Sequence, residues 1–213
     1  STSRRQRQMC IRDRNITADE NFNTFSLSWY NNTDVDPATG LTPYINMQKV
    51  LKVCHDFVDN FDNTFSNLLF IGQTGVGKTF LSNCIARALM DSCHSIIYLT
   101  AGEFFDSFKS DDFKEFGSSK FDTSFFVECD LLIIDDLGTE KASDYNFSNL
   151  FNTINERLLR RKSIIISSNL EMPDIETRYS QRIFSRLVSA YSILRLFGDD
   201  IRCMKKLSPT KRS

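Results

Sequence analysis

The sequence predicts an α/β fold, a parallel sheet sandwiched by helices. Short continuous apolar runs, "LLFI", "IIYLT" and "LLIIDD" among them, alternate with stretches of helical period. Strands without polar alternation are those buried on both faces, as in a parallel sheet covered by helices. A loop with three glycines joins the first of these strands to a helix, the usual place for a ligand in such sheets. The chain has 213 residues, 41% hydrophobic and 25% charged, enough apolar material for a sizeable core.

The elements follow in order. Residues 15–45 are polar and aromatic, with turn signals in "NNTDVDPATGLTP", and read as a loosely structured lead-in. The expected division is a lead-in or linker over residues 1–44 and one domain over 45–213. From about Ile45 to Phe61, Val50, Val53, Phe57 and Val58 recur at helical spacing. Then come the strand "NLLFI", a helix from Lys78 to Met90, the strand "SIIYLT" and a Phe-rich helical stretch from Glu103 to about Phe126. The strand "DLLIIDD", a helix from Tyr145 to Arg161, the strand "SIIIS", a helix from Ile183 to Tyr191 and a last strand "SILRLF" complete the order.

Several classes are excluded by composition. No apolar run approaches the roughly 20 residues of a membrane span. The start, "STSRRQRQMCIRDR", is basic but lacks the apolar stretch of a secretory signal, and it begins without Met, as a processed chain or a piece of a longer one would. Six cysteines lie at 10, 54, 84, 93, 129 and 203 with no CxxC pair, which suits buried free thiols in the cytoplasm better than zinc or disulfides. Net charge is −1 but uneven. Residues 1–14 carry five Arg against one Asp, and residues 201–213 carry five bases and no acid. Subtracted from the 26 bases and 27 acids of the whole chain, these leave 16 bases and 26 acids between, a net of −10. Contact with nucleic acid must therefore be local or come from the ends.

"GQTGVGKT", Gly72 to Thr79, matches G-x-x-x-x-G-K-[ST] in full, between a predicted strand and a predicted helix. Gly72, Gly75 and Gly77 let the backbone curl, so that amides of the loop, through Gln73, Thr74 and Val76, turn inward toward an anion. The helix that follows adds its positive end. Lys78 supplies a point charge for the outer phosphates and the Thr79 hydroxyl a ligand for Mg²⁺. A neighbouring strand should complete the site with an acid. "LLIIDD" ends in two: Asp135 suits the metal shell, and Asp136 suits orienting or activating the attacking water.

The order of these elements resembles the AAA+ branch of P-loop NTPases, and within it the bacterial helicase loaders of the DnaC/DnaI type and the related IstB-like transposition helper ATPases. The matching stretches are "LLFIGQTGVGKTFLSNCIARAL", "DLLIIDDLGTE", "IIISSNL", "YSQRIFSRL" and "LRLFGDDIR", over roughly residues 45–202. No base-specific motif accompanies the loop; the resemblance is what implies ATP. It also implies that Asn169 is a sensor reaching toward the γ-phosphate or its attacking water. Arg186 or Arg182 in "QRIFSR" would act in trans on the nucleotide of the next subunit, hence a homo-oligomer, and Arg202 in "GDDIR" would be a second sensor acting within the chain. Arg182 and Arg186 lie four apart, on one helix face. Asp136 stands where many AAA+ proteins have Glu, which implies slow turnover, and only 27 residues follow Arg186, so the helical lid should be absent or much reduced.

The Phe-rich segment 103–126 holds eight of the 19 phenylalanines, interleaved with Lys109, Lys114 and Lys120. The resemblance implies that this region can line a path for single-stranded DNA by stacking and phosphate pairing; plain packing of Phe on the sheet is the alternative. "RLLRRK", 157–162, reads as the solvated end of a helix. Taken with the resemblance, these features lead to a cytoplasmic, Mg²⁺-dependent ATPase motor that loads a hexameric replicative helicase, its separate helicase-gripping region expected to be missing from this chain. A transposition helper acting with a transposase, or a nucleotide-dependent scaffold with negligible hydrolysis, are the other expectations.

Overall fold

The computed structural model describes residues 16, 17, 19–109 and 123–207. A short 3-10 turn, Leu27–Trp29, precedes α1 (Pro43–Asp59). Then follow β1 (Leu68–Ile71), α2 (Lys78–Asp91), β2 (Ile96–Thr100), α3 (Ala101–Lys109), α4 (Phe125–Glu128) and β3 (Leu131–Leu137). The chain continues through α5 (Asp144–Leu159), β4 (Ser163–Ser168), α6 (Met172–Arg178), α7 (Gln181–Ala190), β5 (Ser192–Arg195) and α8 (Ile201–Leu207). The five strands form one parallel sheet in the order β2-β3-β4-β1-β5. Among the described residues, the seven-residue α8 is the one helix after β5, where the sequence predicts at most a reduced lid.

Three of the longer helices start at a side-chain cap. Thr42 caps α1, its hydroxyl accepting the Ile45 N–H, and Pro43 fills the first position, where no amide hydrogen is needed. This moves the start two residues ahead of the predicted Ile45. Ser143 caps α5 and Ser180 caps α7 in the same way. The long helix expected over 103–126 appears as α3 and α4; residues 110–122, with Lys114 and Lys120, lie outside the described residues. The seven-residue α6 is an element the sequence pattern did not mark.

Strand alternation sorts the core into two layers. Leu68, Phe70, Leu131, Ile133 and Ile165 face α1 and α2, with Met47, Val50, Cys54, Phe57, Leu81 and Ile85 packed on them. Leu69, Ile71, Leu132, Ile134, Ile164 and Ile166 face the other way, onto Phe104, Phe105, Phe126, Leu150, Ile154, Ile183 and Leu187. The lead-in has little regular structure yet is packed down: Tyr30 is buried in the first layer, and Phe22, Phe25, Leu27 and Trp29 lean on it. Cys54, Cys84 and Cys129 are buried thiols, whereas Cys93 and Cys203 are exposed. Among the described residues no helix is long and apolar enough to cross a membrane.

Candidate nucleotide site

The site lies at the C-terminal edge of β1, β3 and β4. Gly72 follows strand β1, and the loop runs to Gly77, the residue before α2, with φ of 107°. That left-handed value suits glycine. There is no room for a side chain either: a Cβ on Gly77 would stand 2.6 Å from the Tyr30 hydroxyl, which donates to the Val76 carbonyl at 3.1 Å. Gly75 is equally closed, because its Cβ would meet the Asp200 carboxylate at 2.2 Å. Asp200 in turn accepts the Arg202 and Cys203 amides at the start of α8, and Ile201 N–H donates to the Gly75 carbonyl at 3.1 Å. The loop is thus braced from both sides.

Lys78 is 5% exposed. Its ammonium donates to three oxygens: Gly72 O at 2.6 Å, Gln73 O at 2.7 Å and Asn169 Oδ1 at 2.6 Å. Burial pulls its pKa below the usual lysine range; the Asp136 and Asp135 charges oppose that and the Arg202 guanidinium adds to it. Oxygen acceptors of a phosphate suit the same ammonium.

Alternation along β3 places Asp135 on the α2 side of the sheet. It is 4% exposed and accepts three hydroxyls: Thr79 Oγ1 at 2.9 Å, Tyr98 Oη at 3.0 Å and Ser167 Oγ in a short contact. Burial, then the Asp135 charge, drives the Tyr98 phenol far up, so it remains a donor. Thr79 and Asp135 are therefore together, as the sequence predicts. Among the described residues no three His, Cys, Asp or Glu side chains cluster. A cation here would have one carboxylate, one hydroxyl and phosphate or water oxygens, a donor set that fits Mg²⁺.

Asp136 would point to the opposite face if β3 continued regularly. It does not. Register passes from Ile134↔Ile166 to Leu137↔Ser168, so β3 accommodates one extra residue there, and Asp136 takes φ of 58°. Its amide donates to Ser167 Oγ at 2.9 Å instead of to a ladder carbonyl, and Thr139 Oγ1 donates to its carbonyl at 2.9 Å. The bulge brings its carboxylate Oδ1 to 3.4 Å from Asn169 Nδ2. Burial, then the neighbouring Asp135, raise Asp136 above the ordinary carboxylate range, against the pull of Lys78, Arg202 and the Asn169 amide. Lys78, Asn169 and Asp136 thus form one connected chain of contacts.

Arg202 lies at the same cavity and acts on both Lys78 and Asp136 through its charge. Arg182 and Arg186 do not reach it: both are exposed on α7, and Arg186 Nη2 donates to Asn155 Oδ1 at 3.0 Å. Sequence reasoning missed the other end of the cavity, which encloses about 280 Å³. There Phe25, Trp29 and Tyr30 of the lead-in face Phe80 and Lys205, whose ammonium sits 5.6 Å from the Trp29 ring and 5.9 Å from that of Phe80. The aromatic density of "NFNTFSLSWY", with the only Trp of the chain, was the available signal.

Fold and site together define a phosphate-loop nucleotide-binding protein of the parallel α/β class. More specifically, the chain belongs to the IstB-like ATP binding protein family, whose model matches residues 42–208. Over 151 residues it is 23% identical to the replicative helicase loader DnaC of Escherichia coli K12, covering 70% of this chain and 61% of that one. The chain thus spans about three-fifths of the length of the loaders it matches. The crystal structure of the DnaC helicase loader superposes with a TM-score of 0.67 at 21% identity, covering 87% of this chain and 100% of the other. AMPPCP-bound DnaA from Aquifex aeolicus gives 0.69 at 18% identity, over 93% and 58%. At these identities the likeness is one of fold, that of the AAA+ P-loop ATPases.

Proposed function

We propose that the chain is the Mg²⁺-dependent, ATP-hydrolysing motor of a loader that places a hexameric replicative helicase on single-stranded DNA in the cytoplasm. One observation carries the reading: Lys78 at the start of α2, Asn169 after β4 and Asp136 at the end of β3 join in one chain of contacts beside the Thr79–Asp135 pair. In this reading the amides of residues 72–79 and the Lys78 ammonium hold the phosphates. Thr79 and Asp135 would hold Mg²⁺, which neutralises charge on the phosphate oxygens. Asp136 takes the proton of the attacking water, and Asn169 orients that water. Trp29 and Phe80 offer faces to the base. Arg202 acts from within the chain, and Arg186 or Arg182 reaches the nucleotide of a neighbouring copy, where a planar guanidinium suits rising phosphate charge.

Helicase loading rests on the DnaC likeness. The match to the IstB-like family favours a second reading, a helper ATPase working with a transposase. Asp136, shorter than the usual acid, favours a third, a scaffold that binds ATP and hardly turns it over. A pull-down from native extract with the full-length protein separates the first two: a hexameric helicase supports the loader, a transposase the helper. Steady-state ATPase, with DNA and the captured partner present, decides the third. Undetectable hydrolysis there removes the enzyme. Action in trans predicts that mixing Arg186→Ala with Asp136→Asn restores part of the lost activity, and no rescue argues against it.

A further inference from the structure

The turn that follows Asp136 is held by a carboxylate that the phosphate chemistry does not use. Glu140 has a side chain only 3% exposed. Its Oε2 accepts the Gly138 N–H at 2.8 Å, and its Oε1 accepts the Tyr179 hydroxyl at 2.6 Å. Arg178 Nε stands 3.5 Å from Oε1, a charge contact rather than a hydrogen bond, and Arg178 Nη2 donates to the Glu140 carbonyl in a short contact. Burial and this carboxylate keep the Tyr179 phenol protonated, hence a donor. Gly138 itself has φ of 110°, and a Cβ there would meet Leu170 at 2.6 Å. One buried anion therefore ties residues 136–140 to the junction between α6 and α7.

Both ends of that tie matter. Asp136 sits in a left-handed conformation unfavourable to a non-glycine residue, and such a conformation persists only when its surroundings over-determine it. On the other side, Arg178 ends α6, Tyr179 follows it, and α7, which carries Arg182 and Arg186, begins two residues later. We infer that Glu140 is a positioning residue: it locks the strained turn of Asp136 onto the α6–α7 junction, so that the placement of the acid and the direction of α7 are set together. The catalytic half of this inference rests on the reading of Asp136 as the group that activates water; the structural half does not.

The test compares the full chain with Glu140→Gln, which keeps the shape but has a single acceptor oxygen for the Gly138 N–H and the Tyr179 hydroxyl and no charge to face Arg178. Tyr179→Phe serves as the milder variant, since it keeps the ring packed on Phe147 and loses only the hydroxyl. Amide hydrogen exchange is read first, without nucleotide. Exchange over residues 136–140 should quicken about tenfold in Glu140→Gln and by less in Tyr179→Phe, while residues 72–79 stay unchanged. With Mg–ATP, kcat should fall about tenfold with KM and ATP affinity held within twofold, a split that general loss of structure does not produce. Unchanged exchange over 136–140, or affinity falling in parallel with kcat, overturns the inference. A wild type whose residues 72–79 gain no protection from Mg–ATP would instead defeat the nucleotide reading, and the nucleotide-free exchange would still judge Glu140.

Discussion

Two buried cations stand at opposite ends of the sheet, and they do different work. At the C-terminal edge, Lys78 gives its protons to Gly72 O, Gln73 O and Asn169 Oδ1. At the other edge, Arg157 is 0% exposed and gives its protons to the carbonyls of Phe126, Cys129, Asp130 and Ser163. Both satisfy their charge with carbonyl oxygens, so burial of a cation does not by itself mark a site. What differs is the surroundings. The carbonyls around Arg157 belong to α4 and the starts of β3 and β4, so the guanidinium bolts those three segments together. Lys78 shares its space with two carboxylates, an amide that also touches Asp136, and a cavity wide enough for a ligand. A planar fork with several donors suits a fixed frame; a single ammonium on a flexible stem suits exchangeable oxygens.

That contrast can be broken by experiment. Arg157→Ala leaves four carbonyls, three of them in buried contacts, without this donor, so it should cost about 3–5 kcal/mol of stability in urea unfolding. Arg157→Lys should recover little, because one ammonium cannot reach both sides of the fork. A loss under about 1 kcal/mol for Arg157→Ala would remove the bolt from the argument. Lys78→Ala should do the reverse: ATP affinity, followed with a fluorescent analogue, falls about 100-fold, while the unfolding midpoint moves little. Retained micromolar binding would count heavily against the site. Trp29→Ala should weaken nucleotide binding about tenfold with the phosphate loop intact, and equal affinity for ATP and inorganic triphosphate in the parent would show that the aromatic end holds no base.

The smallest effect concerns pH. Asp136 has its pKa raised by burial and by Asp135, so ionising it opposes folding. Its contribution is fully present below the ordinary carboxylate range and is lost as pH rises through the raised value. Asp136→Asn removes that penalty and tolerates the positive φ, so it should raise stability at neutral pH, measured by urea unfolding. The gain should fade as pH drops toward about 4, the range of a free carboxyl. A gain that persists unchanged into acid would show that the backbone, not the charge, is what Asn relieves.

Much of this was legible in the chain. Runs such as "LLIIDD" announced strands covered on both faces, and their period of two sorted residues between the layers and put Asp135 on the side of Thr79. The spacing of "GQTGVGKT" carried the loop. Arg157 is a case where the signal existed but was outweighed: it opens a basic run, yet Leu150, Ile154 and Arg157 recur at the spacing of a buried helical face. The lead-in was not legible, because Phe25, Trp29 and Tyr30 follow no period. Their meaning comes from a contact between Tyr30 and Val76, 46 residues apart. Nor does any spacing reveal that Glu140 meets Arg178 and Tyr179.

The sequence alone thus determined the sheet, its two apolar layers, the phosphate-binding loop and the identity of the acids at the strand end, since local period and backbone stereochemistry act over a few residues. Tertiary structure decided the bulge that turns Asp136 back toward Asn169, the closing of the cavity by the lead-in, and the burial of Arg157 and Glu140. The reason is physical. A side chain's electrostatic role depends on which oxygens and dipoles surround it, and those arrive from segments far away along the chain.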